Sequence, residues 1–142
     1  MNRLKEIKKL RAKAESLKLE NAEILRKYNM QQLCSIYNGI GPDAFPDWLR
    51  DAISALHPSL SVVALIHDVE WHESDLSKET FAESNARFKR NGYTAAKAEY
   101  AWYDPRRYIV MNHNAGARTG IHVVHARNHT HTIGKAGIQP CQ

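Results

Sequence analysis

The run Leu60-Ser61-Val62-Val63-Ala64-Leu65-Ile66-His67-Asp68-Val69-Glu70-Trp71-His72 decides the fold. It reads as a helix, with His57-Pro58-Ser59 as the break before it and Ser59 as the N-cap. Its first half is almost wholly apolar, so the helix is expected to be buried. A buried helix would ordinarily exclude a His-Asp pair, yet His67 and Asp68 stand near its middle. A charged carboxylate in such a place needs a partner, and a cation supplies one. Successive helical residues point about 100° apart, so His67 and Asp68 face different neighbours.

On the carboxyl side, Asp75-Leu76-Ser77 reads as a turn and cap, followed by a helix over Glu79 to Arg90. Asn91-Gly92 is expected to stop that helix. A further helix covers Thr94 to Tyr103 and ends before Pro105. Two helices joined by so short a link are usually antiparallel neighbours. On the amino side, Tyr37 to Pro46 is loop by its Gly and Pro content. Asp47 to Leu56 reads as a short helix with Trp48, Leu49, Ile53 and Leu56 on one face.

Within that loop lies Tyr37-Asn38-Gly39-Ile40-Gly41. Two glycines allow a backbone to turn its carbonyls toward one point. A carboxylate arriving beside such a loop completes a hard-cation site, because Ca²⁺ prefers oxygen ligands. A histidine next to that carboxylate can act as a general base. The three pieces describe a calcium-assisted ester hydrolase.

Tyr37-Asn38-Gly39-Ile40-Gly41 together with His67-Asp68-Val69-Glu70-Trp71 resembles the phospholipase A2 superfamily, which pairs a Tyr-Cys-Gly-x-Gly loop with a His-Asp-x-x-Tyr helix. The likeness is nearer to its cysteine-poor branches, the parvovirus capsid domain and small phage proteins with Asn-Gly-x-Gly-Pro loops. It covers roughly positions 34 to 103. It implies a mainly α fold built on an antiparallel helix pair with a glycine calcium loop. It implies that the carbonyls of Tyr37, Gly39 and Gly41 and the carboxylate of Asp68 bind Ca²⁺, and that His67 activates water to cleave the sn-2 ester of phospholipids. The family's second helix presents a carboxylate to the imidazole. Here Asn85-Ala86-Arg87-Phe88 puts Asn85 in that place. An amide oxygen can fix the tautomer but cannot stabilise an imidazolium by charge. In the serine proteases a like Asp-to-Asn change leaves the geometry intact and costs about ten thousand-fold in rate. Asn38 and Trp71 also replace the family's Cys and Tyr.

The two ends of the chain lie outside this likeness. Residues 2–32 hold no Gly or Pro and are rich in good helix formers, so they read as one helix. Ile7, Leu10, Ala14, Leu17, Asn21, Ile24 and Tyr28 form a heptad seam. The seam fits a short coiled coil, giving a homo-oligomer through residues 4–28 with Asn21 setting register. It fits equally an amphipathic helix lying on its own domain. Residues 104–142 form a His-rich segment, irregular except for two strand-like stretches, Tyr108 to Met111 and Ile121 to His125. Among its histidines are His113, His122, His125, His129 and His131. On a strand, His129 and His131 share a face, and converging imidazoles of that kind can bind Zn or Fe. Similar His-x-His repeats occur in phage spike trimers. A polar tail is the competing reading.

Composition sets the remaining bounds. The 142 residues suffice for one modest domain, 33–103, plus appendages, and 43% of them are hydrophobic. Residues 1–30 are too charged for a signal peptide, and no apolar run reaches a membrane span. Two cysteines, Cys34 and Cys141, cannot make a disulfide scaffold. The expected setting is a reducing cytoplasm at synthesis, with possible virion association for a phage protein, and helices held by packing alone. A net charge of +5 favours anionic partners, a phospholipid surface first. No recognised motif supports nucleic-acid binding. Asn85 and the heptad helix leave a second class open, a catalytically weak phage structural module.

Overall fold

The computed structural model describes residues 3–37 and 58–116, the last four by backbone alone. Its architecture is mainly helical. Helix α1 (Arg3–Ser16) leads through a 3₁₀ turn (Ala22–Lys27) into the short α2 (Met30–Ile36). Then come α3 (Pro58–Glu73), α4 (Lys78–Glu99) and α5 (Pro105–Gly116). Among the described residues no helix is long and apolar enough to cross a membrane.

Helix α3 is the centre of the molecule. Leu60, Val62, Val63, Ala64, Leu65, Ile66, Val69 and Trp71 are all buried, because α1, the 3₁₀ turn, α2 and α4 pack around it. Pro58 opens it and Ser59 lies inside it, so Ser59 is not the cap. Proline suits that first position, since its missing N–H would have no partner there. Ile7, Leu10, Ala14, Leu25 and Leu33 close over α3 from one side. Leu60, Ala96, Tyr100 and Val110 make a smaller cluster where α4 meets α5.

The single amino-terminal helix does not form. Helix α1 stops in a Schellman motif. The Leu19 N–H bonds the Ala14 carbonyl and the Lys18 N–H bonds the Glu15 carbonyl, both at 3.1 Å. Lys18, at φ 50°, takes the left-handed position usually given to glycine, and Asn21 follows at φ 62°. The chain then turns back, and Asn29 starts α2 with a reciprocal capping box to Gln32. Asn21 therefore sits in a turn, where its amide donates to Glu70 at 2.6 Å. Of the heptad seam, Ile7, Leu10, Ala14 and Ile24 pack into the chain's own core.

Helix α4 departs from expectation in the opposite way. It runs through Asn91-Gly92 without a break. Asn91 is 2% exposed and grips the backbone of the α1 turn, accepting from Glu20 N at 2.8 Å and donating to Glu20 O at 3.0 Å. Gly92 is buried beside it. The pair serves helix packing, not termination. Ser77 caps α4 as expected, accepting from Thr80 N.

The stretch Tyr108 to Met111 is helical, not extended, and Asn112 to Gly116 continues that helix. Asp104 accepts the Arg106 N–H at 2.9 Å and Pro105 opens the first turn, so local capping overrides the strand-like composition. Cys34 is buried on α2 within the core around α3. The glycines of the loop, the helix expected over 47–56, the strand over 121–125 and His122, His125, His129 and His131 all lie outside the described residues.

Candidate functional site

Helices α3 and α4 face each other in antiparallel order: His67 meets Asn85 and Phe88, Glu70 meets Ser84, and Trp71 meets Phe81. A four-residue link joins them, so the pairing follows from chain connectivity and from matching apolar faces. His67 and Trp71 stand at i and i+4, one above the other on α3. Phe81, Asn85 and Phe88 form the matching row on α4.

The imidazole of His67 is half-buried in an aromatic frame. Its ring lies 5.5 Å from Trp71 and 5.1 Å, edge-on, from Phe88. Trp71 in turn stacks on Phe81 at 4.2 Å. Asn85 Oδ1 lies 3.1 Å from His67 Nε2, while Asn85 Nδ2 donates to the Phe81 carbonyl at 2.7 Å. The Trp71 indole N–H also reaches His67 Nε2, at 2.9 Å. The His67–Asn85 contact joins two residues singled out in the sequence. The Trp71 contact was not foreseen, although the i, i+4 spacing of two ring N–H residues was a signal for it.

Of the residues expected to hold Ca²⁺, the described part contains Tyr37 and Asp68. Tyr37 ends α2, its N–H bonded to Leu33 O at 2.9 Å. Its carbonyl accepts from the Arg3 guanidinium. Its ring is buried, and burial pushes its hydroxyl well above the ordinary tyrosine range. Asp68 and Arg3 both act on that hydroxyl, so Tyr37, Asp68 and Arg3 share one neighbourhood. A backbone carbonyl and a carboxylate are each oxygen donors of the kind Ca²⁺ takes. A guanidinium bonded to the same carbonyl competes with that use. No group of three or more His, Cys, Asp or Glu side chains with metal-holding geometry occurs among the described residues.

No family model, curated protein or solved structure matches this chain. Site chemistry must therefore be argued from the residues themselves.

One turn further along α3, Glu70 anchors a network that the sequence reading missed. Its side chain is 7% exposed and accepts from Asn21, from Ser84 at 2.7 Å and from Arg87. Arg87 also bonds Glu83 at 3.2 Å, and Glu83 bonds Arg90. The carboxylate takes three protein donors, so it ties α3 to α4 and to the α1 turn. The sequence signal was a lone Glu inside an apolar helix.

Proposed function

We propose that this chain is a calcium-assisted phospholipid hydrolase of the phospholipase A2 type, in which His67 acts on water. The observation that carries the reading is Asn85 Oδ1 at 3.1 Å from His67 Nε2, on an antiparallel helix pair, with Asp68 the next residue on α3. A proton on Nε2, accepted by Asn85, would leave Nδ1 as the basic nitrogen. That nitrogen would take a proton from the attacking water, and the ring would return it to the departing alcohol. Tyr37 and Asp68, with Gly39 and Gly41, would hold the metal. Bound Ca²⁺ would polarise the ester carbonyl and stabilise the charge that develops on its oxygen.

The α4–α5 corner supports a lipid-surface substrate. Trp102 and Tyr103 are each 73% exposed, and Tyr108 and Ile109 follow at 52% and 47%. Arg106 and Arg107 stand among them. Aromatic rings beside cations suit the headgroup region of an anionic membrane.

The test is fatty-acid release from mixed phospholipid vesicles, with Ca²⁺ and with chelator, for wild type and His67→Ala. Calcium-dependent release that disappears in the variant is the expected result. No release from wild type at any calcium level would sink the hydrolase reading.

A second reading has its own support, that of a catalytically weak phage assembly module. The Trp71 N–H on His67, the neutral Asn85 and Arg3 on the Tyr37 carbonyl all oppose turnover. In that reading self-association through residues 4–28 would use the faces that α1 leaves exposed, since Ile7, Leu10 and Ala14 are spent on the chain's own core. A solution mass equal to the monomer at high concentration would remove it.

A further inference from the structure

Two cations have a claim on one carbonyl. The Tyr37 carbonyl closes α2 and accepts from the Arg3 guanidinium. It is also an oxygen that the calcium reading gives to the metal. A carbonyl at the end of a helix lacks an intrahelical donor, and Tyr37 is only 4% exposed. A donor must come from elsewhere in the chain, and Arg3 brings one from the first turn of α1, 34 residues away.

Capping of α2 asks only for an N–H, not for a charge. The charge is badly placed for α1 itself, because a cation in the first turn faces the positive end of the helix dipole. The surroundings of Tyr37 favour it instead. Glu6, Asp68 and Arg3 all lie close enough to act on the Tyr37 hydroxyl. With Arg3 there, two carboxylates face one guanidinium, leaving one negative charge. With Arg3 withdrawn, two negative charges remain, which is the balance a divalent cation needs. A guanidinium and Ca²⁺ on one oxygen repel, and burial weakens the screening between them. Arg3 is exposed, so its guanidinium can leave for water without disturbing the core.

We propose that Arg3 is a built-in competitor of the cation, an autoinhibitory clasp from α1 that releases the Tyr37 carbonyl before Ca²⁺ takes it. The proposal rests on the calcium reading above. Its consequence is a raised calcium threshold, since apparent affinity falls with the fraction of molecules in which the clasp is open. Calcium binding and the Arg3 contact oppose each other by the same factor.

The experiment is calorimetric titration of the full chain with Ca²⁺, without lipid, for wild type, Arg3→Gln and Arg3→Lys. Glutamine keeps an N–H for the carbonyl and removes the charge, whereas lysine keeps the charge. Arg3→Gln should bind Ca²⁺ roughly tenfold more tightly, and Arg3→Lys should stay within about twofold of wild type. In wild type labelled with ¹⁵N-arginine, the Arg3 side-chain signal should shift in step with calcium occupancy. That readout needs no variant, so it decides the matter even if Arg3→Gln folds poorly. Equal affinities for wild type and Arg3→Gln overturn the proposal and leave the calcium reading standing. So does an Arg3 signal that ignores bound Ca²⁺. No calcium binding by wild type or either variant overturns the proposal and the calcium reading together.

Discussion

Glu70 shows what one charged residue costs and contributes on a buried helix. Its carboxylate is taken out of water and then given back donors by Asn21, Ser84 and Arg87. The net worth of such a cluster against apolar residues is modest, but breaking it from one side leaves buried polar groups without partners. Glu70→Ala should therefore destabilise the fold by about 3 kcal/mol, in the range for removing one member of a buried pair. Glu70→Gln keeps one acceptor oxygen for Asn21, and the Ser84 hydroxyl can turn to accept from the new amide N–H, so this change should cost about half as much. Urea midpoints for the two variants check the order. Equal and negligible losses would mean that Arg87 and its partners rearrange freely. The His67 imidazole differs from Glu70: it stands half-buried among aromatic rings, with the Asn85 amide and the Trp71 indole nitrogen both near Nε2.

Among the elements, α4 explains both what was legible in the sequence and what was not. The apolar run of α3 and the Ser77 cap rest on local spacing, which is what a sequence displays, whereas the pairing of His67 with Asn85 was expected only from the resemblance to a known family. The Asn91-Gly92 stop failed because a tertiary contact claimed Asn91: its side chain meets both polar groups of Glu20, 71 residues away. The break after Ser16 was hidden for the converse reason. Lys18 holds a left-handed conformation that costs a non-glycine residue about 1 kcal/mol, and burial of Leu19 and Ala22 in the core offsets it. Neither effect leaves a mark on residues 2–32 alone. Asn91→Ala should remove both bonds to Glu20 and destabilise by about 2 kcal/mol, with the extra loss confined to the contact between α4 and the α1 turn. Hydrogen exchange should show the Glu20 amide losing protection ahead of the α3 amides.

Salt links at the outer edges of these elements add a pH dependence. The Arg90 bond holds the Glu20 carboxyl below its ordinary value of 4.5. Burial pulls the Glu73 carboxyl upward, but its bonds to Lys27 and Tyr28 outweigh that and leave it lowered. A carboxyl whose folded value is depressed stabilises the fold above its unfolded value and loses that contribution as pH falls through the folded one. Unfolding midpoints should thus fall on acidification from about pH 6 to about pH 3. Glu20→Gln combined with Glu73→Gln should flatten part of that slope. Because both groups are substantially solvated, added salt should flatten it too.

At the scale of the whole molecule, among the described residues, α1, the 3₁₀ turn, α2 and α4 bury α3 almost completely, whereas the α4–α5 corner exposes Trp102, Tyr103, Tyr108 and Ile109. Trp102 and Tyr103 meet edge to face at 5.7 Å, and the Tyr108 hydroxyl donates to the Trp102 carbonyl at 2.8 Å, so the group is ordered. Arg106 is paired with Asp104 at 2.7 Å, which tempers its charge, and Arg107 stands beside it. An ordered aromatic cluster beside cations would bind an anionic bilayer by burying rings at the headgroup level, with charge setting the approach. Trp102→Ser with Tyr103→Ser should weaken binding to anionic phospholipid vesicles roughly tenfold while leaving the urea midpoint unchanged, because neither ring supports the core. Arg107→Gln should weaken it less, and its effect should shrink as salt rises. Sedimentation with vesicles of rising anionic content reads both effects. Unaltered binding by the double variant would move the lipid-facing surface elsewhere on the molecule and leave these rings without a role in the proposed activity.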